Sequence, residues 1–308
     1  MMSKSKAADG PHSAEYFGPE RDFWWDDDFV SLVAKRLGLG RVRSALDVGC
    51  GVGHWGRTLL PHLRAGAHVT GVDRERRWVA RAAKIARGLG IGHRTRYEYG
   101  LAEALPFADA SFDLVTCQTL LIHVAYPSRV IAEMLRVTRV GGRVLLVEPN
   151  NLAAALVFGS TDVAMSAAER LQLVRLQLLC ERGKAALAEG NDSIGDLVPG
   201  LLAAAGAVDI DVCLSDRASP LVPPYRSAAQ QAARNQLLDW AERGYWLWER
   251  RAAKNYFMAG GGTAAAFERC WSIAIRSLRR IASDLRRNTY HSAGGGIMYL
   301  VSARRADS

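Results

Sequence analysis

The chain has 308 residues, 49% of them apolar and 23% charged. That balance supplies a sizeable core and excludes a disordered chain or a fibrous repeat. The formal net charge is +9, from 40 Lys and Arg against 31 Asp and Glu. Its longest strictly apolar runs, such as 152–158, are far too short to span a bilayer. Five isolated cysteines without a CxxC pair argue against a disulfide framework and against structural zinc. The N-terminal MMSKSKAADGPH has no apolar core region, so no signal peptide and a cytoplasmic location are expected.

Residues 1–12 read as irregular. Residues 13–38 hold a Gly-Pro break, an aromatic and acidic cluster, and a helix with Phe29, Val30, Val33 and Leu37 on one side. Tyr16, Phe17, Arg21, Trp24 and Trp25 read either as an N-terminal lid over a ligand or as ordinary helix packing. Asp26, Asp27 and Asp28 point in different directions on a helix, so they suit a dipole-stabilised N-terminus rather than a metal. No metal site is expected.

From Ser44 strands and helices alternate. Apolar runs at 44–50, 68–73, 95–100, 112–118 and 143–149 read as strands. Helices are expected at 55–63, 78–88 and 130–137. Such alternation predicts a parallel sheet covered on both faces. After Asn151 come helical stretches at 161–188 and 193–205, then a sixth strand at 207–214. A long helical stretch, 218–293, precedes a last apolar run at 297–303 that reads as a seventh strand returning to the sheet.

The segment LDVGCGVGHWG, residues 46–56, carries the strongest chemical signal. Glycines at a strand's carboxyl end permit positive φ and let a ligand approach bare backbone. Asp73 lies 22 residues past Gly51, at the end of the second strand, placed to accept hydrogen bonds from ribose hydroxyls. Loop and acid together indicate an adenosine. Gly51-x-Gly53-x-x-Gly56 also matches the dinucleotide pattern. Asp47, however, would repel a pyrophosphate, whereas it suits the ammonium of S-adenosylmethionine (SAM).

Residues 44–150 resemble a class I SAM-dependent methyltransferase, of the broad group that includes the ubiquinone and menaquinone-biosynthesis methyltransferases. LDVGCGVGHWG resembles that group's first motif and VTGVDRE its second. LAEALPFADASFDLVTCQTLLIHV and RVTRVGGRVLLVEPN resemble the third-to-fourth and fifth-strand regions. The resemblance implies a Rossmann-like, doubly wound α/β sheet of seven strands. The sheet is mostly parallel with an antiparallel last strand, and it carries a helical cap insertion. It implies SAM as cofactor and S-adenosylhomocysteine (SAH) as product. The cofactor-binding set is Tyr16, Asp47, Gly49, Cys50, Gly51, Gly53, Asp73, Arg74, Leu101, Ala102, Glu103 and Gln118. The group often has an acid after the third-strand glycine to meet the adenine amino group. Here Leu101 and Ala102 follow Gly100, which leaves Leu101 packing, backbone groups and Glu103 for the adenine.

Methyl transfer asks chiefly for in-line alignment and exclusion of water, with a base only for a protonated nucleophile. His123 and Glu148, at the ends of strands four and five, are the catalytic candidates. Each also has a structural reading, His123 as a helix-start residue and Glu148 as a satisfied acid. The expected organisation is a lid over 1–40, a core over 41–217 and 294–308 with an extra helix at 161–190, and a cap over 218–293. The cap holds twelve Arg or Lys against five Asp or Glu. Phe267, Trp271, Ala274, Leu278, Ile281 and Leu285 form an apolar helix stripe within it. It reads as a wall of an aromatic pocket for a small-molecule methyl acceptor, as a homodimer face, or as a nucleic-acid surface. The expected function is methyl transfer to an O or N nucleophile of a small molecule, with no membrane partner. RNA or protein methylation through the basic cap, and SAM binding without turnover, remain as alternatives.

Overall fold

The computed structural model describes residues 18–216 and 218–307. Tyr16 and Phe17 lie outside the described residues. Seven strands form one sheet: β1 Ser44–Val48, β2 His68–Asp73, β3 Thr95–Tyr99, β4 Phe112–Gln118, β5 Thr138–Asn150, β6 Val208–Leu214 and β7 Ile297–Arg304. Their order is β3-β2-β1-β4-β5-β7-β6. Strands β1 to β5 pair in parallel, and β7 inserts antiparallel between β5 and β6. This is the Rossmann-like, doubly wound sheet expected. Strand order reverses between β1 and β4, which opens a crevice at their carboxyl ends.

The central strands are near-continuous apolar runs because both faces are covered. Val48, Val115 and Leu146 belong to the core on one face, packed with Ile131 and Met134 of α4 (Pro127–Val137) and Leu202 of α6 (Val198–Ala204). Ala45, Leu114 and Leu145 pack on the other face with Phe29 and Val33 of α1 (Asp27–Leu37) and Trp55 of α2 (His54–Leu59). Helix α3, Arg76–Gly88, turns Trp78, Ala82 and Ala86 inward.

Three elements depart from the sequence expectations. The helix expected over 55–63 stops at Leu59 and tightens into a 3-10 turn at Leu60–His62. Pro61 lacks the N–H that an α-helix interior needs. The fifth strand starts five residues early, at Thr138, through a register shift opposite Phe112 and Leu114. The single helical stretch over 218–293 is three helices after a non-helical lead of residues 218–227: α7 Ala228–Arg243, α8 Arg250–Ala259 and α9 Ala264–Arg286. Prolines 220, 223 and 224 keep the lead out of a helix, with a turn at 223–224, and the left-handed Gly244 ends α7.

Helix α5, Ala167–Ala186, begins with a capping box of Ser166 and Glu169. It is the platform for the cap. Leu173, Leu176 and Cys180 pack with Phe257 of α8 and with Phe267 and Trp271 of α9. The stripe on α9 is buried at Phe267, Trp271, Ala274, Leu278 and Leu285, and half-buried at Ile281. Helix α7 lies against α9 on one side and against the N-terminal turn Gly18–Phe23 on another. Among the described residues, no helix is long and apolar enough to cross a membrane, and no group of side chains could hold a metal ion.

Candidate active site

The glycine loop leaves β1 at Val48 with Gly49, Gly51 and Gly53 at φ of 67°, 51° and 74°. These are left-handed conformations that other residues adopt only at a cost. At Gly49 a Cβ would also lie 2.6 Å from Leu120 Cδ1, so that the Leu120 side chain would have to shift. Two buried carboxylates shape this loop. Asp47 Oδ2 accepts from the Gly56 amide at 2.9 Å, which ties the start of β1's turn to α2. Asp73 Oδ2 accepts from the Gly51 amide at 2.9 Å, and its Oδ1 accepts from the Glu75 amide at 2.8 Å. Asp73 is thereby locked in one rotamer, with lone pairs left on both oxygens for a ligand.

Burial is the main electrostatic effect here. It raises the Asp47 carboxyl to about 7, against the Gly56 hydrogen bond and the Arg21 charge. It raises Asp73 as well, opposed by the Glu75 and Gly51 amides. The Cys50 thiol is pushed well above its ordinary value by burial and by Asp47, so it is no nucleophile. Arg74 is exposed beside Asp73. Leu101 and Glu103 are exposed and Ala102 half-buried on the turn after β3, where the Ala104 amide donates to the Leu101 carbonyl.

At the end of β4, Gln118 is buried, and neither its amide nitrogen nor its oxygen has a hydrogen-bond partner. A buried side-chain amide in that state points to a missing ligand or water. The next residues form the 3-10 turn Leu121–His123. His123 is exposed at its end, and its amide donates to the Leu120 carbonyl at 2.9 Å.

Glu148 is fully buried beneath this turn. Its Oε1 accepts from the Leu120 amide at 3.0 Å and the Leu121 amide at 2.8 Å, with the Cys117 thiol at 3.6 Å. Burial raises its carboxyl to about 7, opposed by these hydrogen bonds. The geometry therefore gives Glu148 the work of holding the turn after β4. His123, by contrast, is exposed at the end of that turn.

A second polar cluster ties the same turn to the cap platform. Lys184 of α5 pairs with Asp192 and donates to the Ile122 carbonyl at 3.0 Å. Gln177 of α5 donates to the Asn151 carbonyl after β5 and, at 3.0 Å, to Glu181 Oε1. All four side chains are buried. Sequence reasoning missed Lys184 and Asp192, and it missed His54 and Arg57 around the loop. Lys184 reaches the carbonyl of Ile122, 62 residues away, and His54 faces Asp22 of the N-terminal turn, and no local spacing signals such contacts.

Comparison with known proteins gives a consistent result. Residues 46–146 match the family described as "Methyltransferase domain". The uncharacterized methyltransferase YcgJ of Bacillus subtilis is 32% identical over 136 residues, covering 44% of this chain and 52% of that protein. The chain thus spans only about half the length of that relative. A ubiquinone biosynthesis O-methyltransferase of Xanthomonas oryzae pv. oryzae is 28% identical over 255 residues, covering 77% of this chain and 96% of that enzyme. The crystal structure of YcgJ superposes with a TM-score of 0.50 at 18% identity, over 92% of this chain and 100% of that one. A putative sarcosine dimethylglycine methyltransferase from Galdieria sulphuraria gives a TM-score of 0.51 at 15% identity, over 91% and 85%. These two structures speak to the fold.

Proposed function

Since residues 46–146 are a class I SAM-dependent methyltransferase domain, we propose that this chain methylates an oxygen or nitrogen nucleophile of a small molecule, releasing SAH. The cofactor supplies a methyl group that is already electrophilic. The chain's own part is to bind, align and exclude water. Asp73 accepts from the ribose hydroxyls, Leu101 packs on the adenine, and Asp47 faces the ammonium. Gln118 closes on the amino-acid end or on the acceptor. Its unpartnered, buried amide is the observation that carries the reading. His123, exposed after β4, meets the acceptor in this reading and, for a protonated nucleophile, takes its proton.

The cap favours a small acceptor over a nucleic acid. Arg243, Arg250, Lys254, Arg276, Arg286 and Arg287 all pair with Asp or Glu of the cap or of α5. Half of the cap's basic residues are therefore locally neutralised, and its aromatic stripe is turned inward. The Xanthomonas enzyme is named for O-methylation, which favours an oxygen acceptor. The test is incubation with trideuteromethyl SAM and a panel of phenols, catechols and amines, read by mass spectrometry. Label in a phenolic product supports the proposal. Label only in added tRNA, rRNA or protein would replace it with the macromolecular reading.

A further inference from the structure

We propose that the protein carries a second ligand site, a groove between α3 and β3 that binds a small aromatic anion and reports its presence to the glycine loop through Tyr97. The link to the loop rests on the SAM reading above; the groove itself does not.

The groove has a volume of about 420 Å³ and is lined by Ala83, Arg87, Gly92, His93, Thr95 and Tyr97. It lies at the carboxyl end of α3 and the amino end of β3, away from the crevice at the strand carboxyl ends. A Cβ on Gly92 would lie 3.2 Å from Arg87 Cγ, so the arginine stem lies across the bare glycine. That stem, Ala83 and the Tyr97 ring give the groove apolar walls. A space of this size and lining suits a small ring rather than a bare ion.

The sign of the ligand follows from the charge around it. Residues 76–97 hold seven Lys or Arg and neither Asp nor Glu. Arg77 pairs with Glu75 and Arg96 with Glu98. Arg94 donates to the Ala67 and Leu60 carbonyls. Arg76 lies 4.4 Å from the centre of the Tyr99 ring, and Arg81 5.7 Å from that of Trp78. Lys84 and Arg87 remain, with His93. All three are exposed, and among the described residues none has an ion-pair or hydrogen-bond partner. The last carbonyls of α3 do not offset them: those of Ile85, Ala86 and Arg87 accept from the amides of Leu89, Ile91 and Gly90. The groove is thus an apolar slot under a positive potential. Its two lining cations suit one anionic group rather than the phosphate track of a nucleic acid.

Tyr97 joins this groove to the cofactor loop. A Cβ on Gly53 would lie 2.6 Å from both the Tyr97 Cε1 and its hydroxyl oxygen, and one on Gly71 2.6 Å from its Cδ1. The ring is therefore wedged between β2 and the loop, where Gly53 has a φ of 74°. A ligand seated in the groove leaves the ring less room to withdraw. The loop is then held in the conformation that receives SAH, and by linkage SAH favours the anion by the same factor.

The test titrates phenyl phosphate, inorganic phosphate and benzyl alcohol onto the full chain by ligand-observed NMR, with and without SAH. Calorimetry then measures SAH with and without saturating phenyl phosphate. Phenyl phosphate is expected to bind with a Kd on the order of 1 mM or below, about tenfold tighter than the other two, which lack either the ring or the charge. Arg87→Gln should weaken it about 5- to 10-fold and leave SAH affinity in its absence unchanged. Phenyl phosphate should tighten SAH about threefold, and SAH should tighten phenyl phosphate equally. Inorganic phosphate as tight as phenyl phosphate, or no effect of Arg87→Gln, would overturn the proposal. So would competition between phenyl phosphate and SAH, or indifference of each to the other. A tRNA that binds through Arg87 at physiological salt and displaces phenyl phosphate would give the surface to a nucleic acid instead. A wild type that binds no SAH under any condition would refute the SAM reading of the crevice, and Arg87-dependent binding of phenyl phosphate would still decide the groove.

Discussion

Gly183 of α5 and Gly260, the residue that ends α8, meet backbone to backbone. A Cβ on Gly183 would lie 1.7 Å from the Tyr256 carbonyl oxygen, and one on Gly260 would lie 2.0 Å from that of Leu179. Helix α8 can therefore cross α5 closely enough for Phe257 to bury with Leu173 and Leu176. Neither neighbour is a flexible side chain that could move aside.

Gly183→Ala is expected to push α8 off its platform. The cost should be about 2 kcal/mol or more, as for overpacked cores. Limited proteolysis should cut near 244–249 or 260–263 sooner than in wild type. SAH affinity should change little, because the glycine loop is remote from this crossing. Unchanged melting and proteolysis would show that the crossing is not tight in solution.

Asp73→Ala should weaken SAH by about 1–3 kcal/mol, since buried hydroxyls lose a charged acceptor. The Gly51 amide loses its partner too, so the loss should appear for every adenosine ligand alike. Calorimetry with SAH and with adenosine checks this. A selective loss for one of them would place the ribose elsewhere.

Glu148 predicts a pH signature. Its carboxyl is raised from 4.5 to about 7 in the folded chain. A raised acid stabilises the fold fully below its unfolded value, and that contribution is lost as pH climbs through the folded one. The window is thus about pH 4.5 to 7, with a ceiling of order 3 kcal/mol. Glu148→Gln keeps an acceptor for the Leu120 and Leu121 amides and removes the titration. Its melting temperature relative to wild type should rise between pH 5 and pH 8. A constant difference across that range would contradict the assignment. At fixed pH the variant should lower turnover more than SAH affinity, because the turn it holds carries His123 rather than the cofactor loop.

Lys184→Met should be costly, about 3–5 kcal/mol, because Asp192 would be left charged and buried. Lys184→Met with Asp192→Leu should recover much of that loss, a coupling that a double-mutant cycle reads directly. If the variants stay folded, the acceptor's KM should rise while SAH affinity holds, since the pair ties Ile122 to the cap platform. Additive losses would show that the two residues act separately.

The glycine loop was legible in the sequence because it is local. The spacing from Asp47 through Gly53 to Asp73 specifies a strand, a turn and a second strand end, which the β1–β2 pairing brings together. The runs at 68–73 and 112–118 match β2 and β4 residue for residue. The acceptor side was less legible. Glu148 looks like a reactive acid at a strand end, and only the folded chain shows that the Leu120 and Leu121 amides occupy its Oε1 while its Oε2 is buried without a hydrogen-bond partner. The Lys184–Asp192 pair serves Ile122, 62 residues from Lys184. The meeting of Gly183 with Gly260 likewise depends on how two helices cross, which neither sequence window contains.

The central claim is that the crevice holds SAM and uses it. Calorimetric titration of the purified chain with SAH and, separately, with NAD tests it most directly. The account predicts one SAH per chain, weakened by Asp73→Ala, and silence with NAD. Tight NAD binding with no heat from SAH would contradict it.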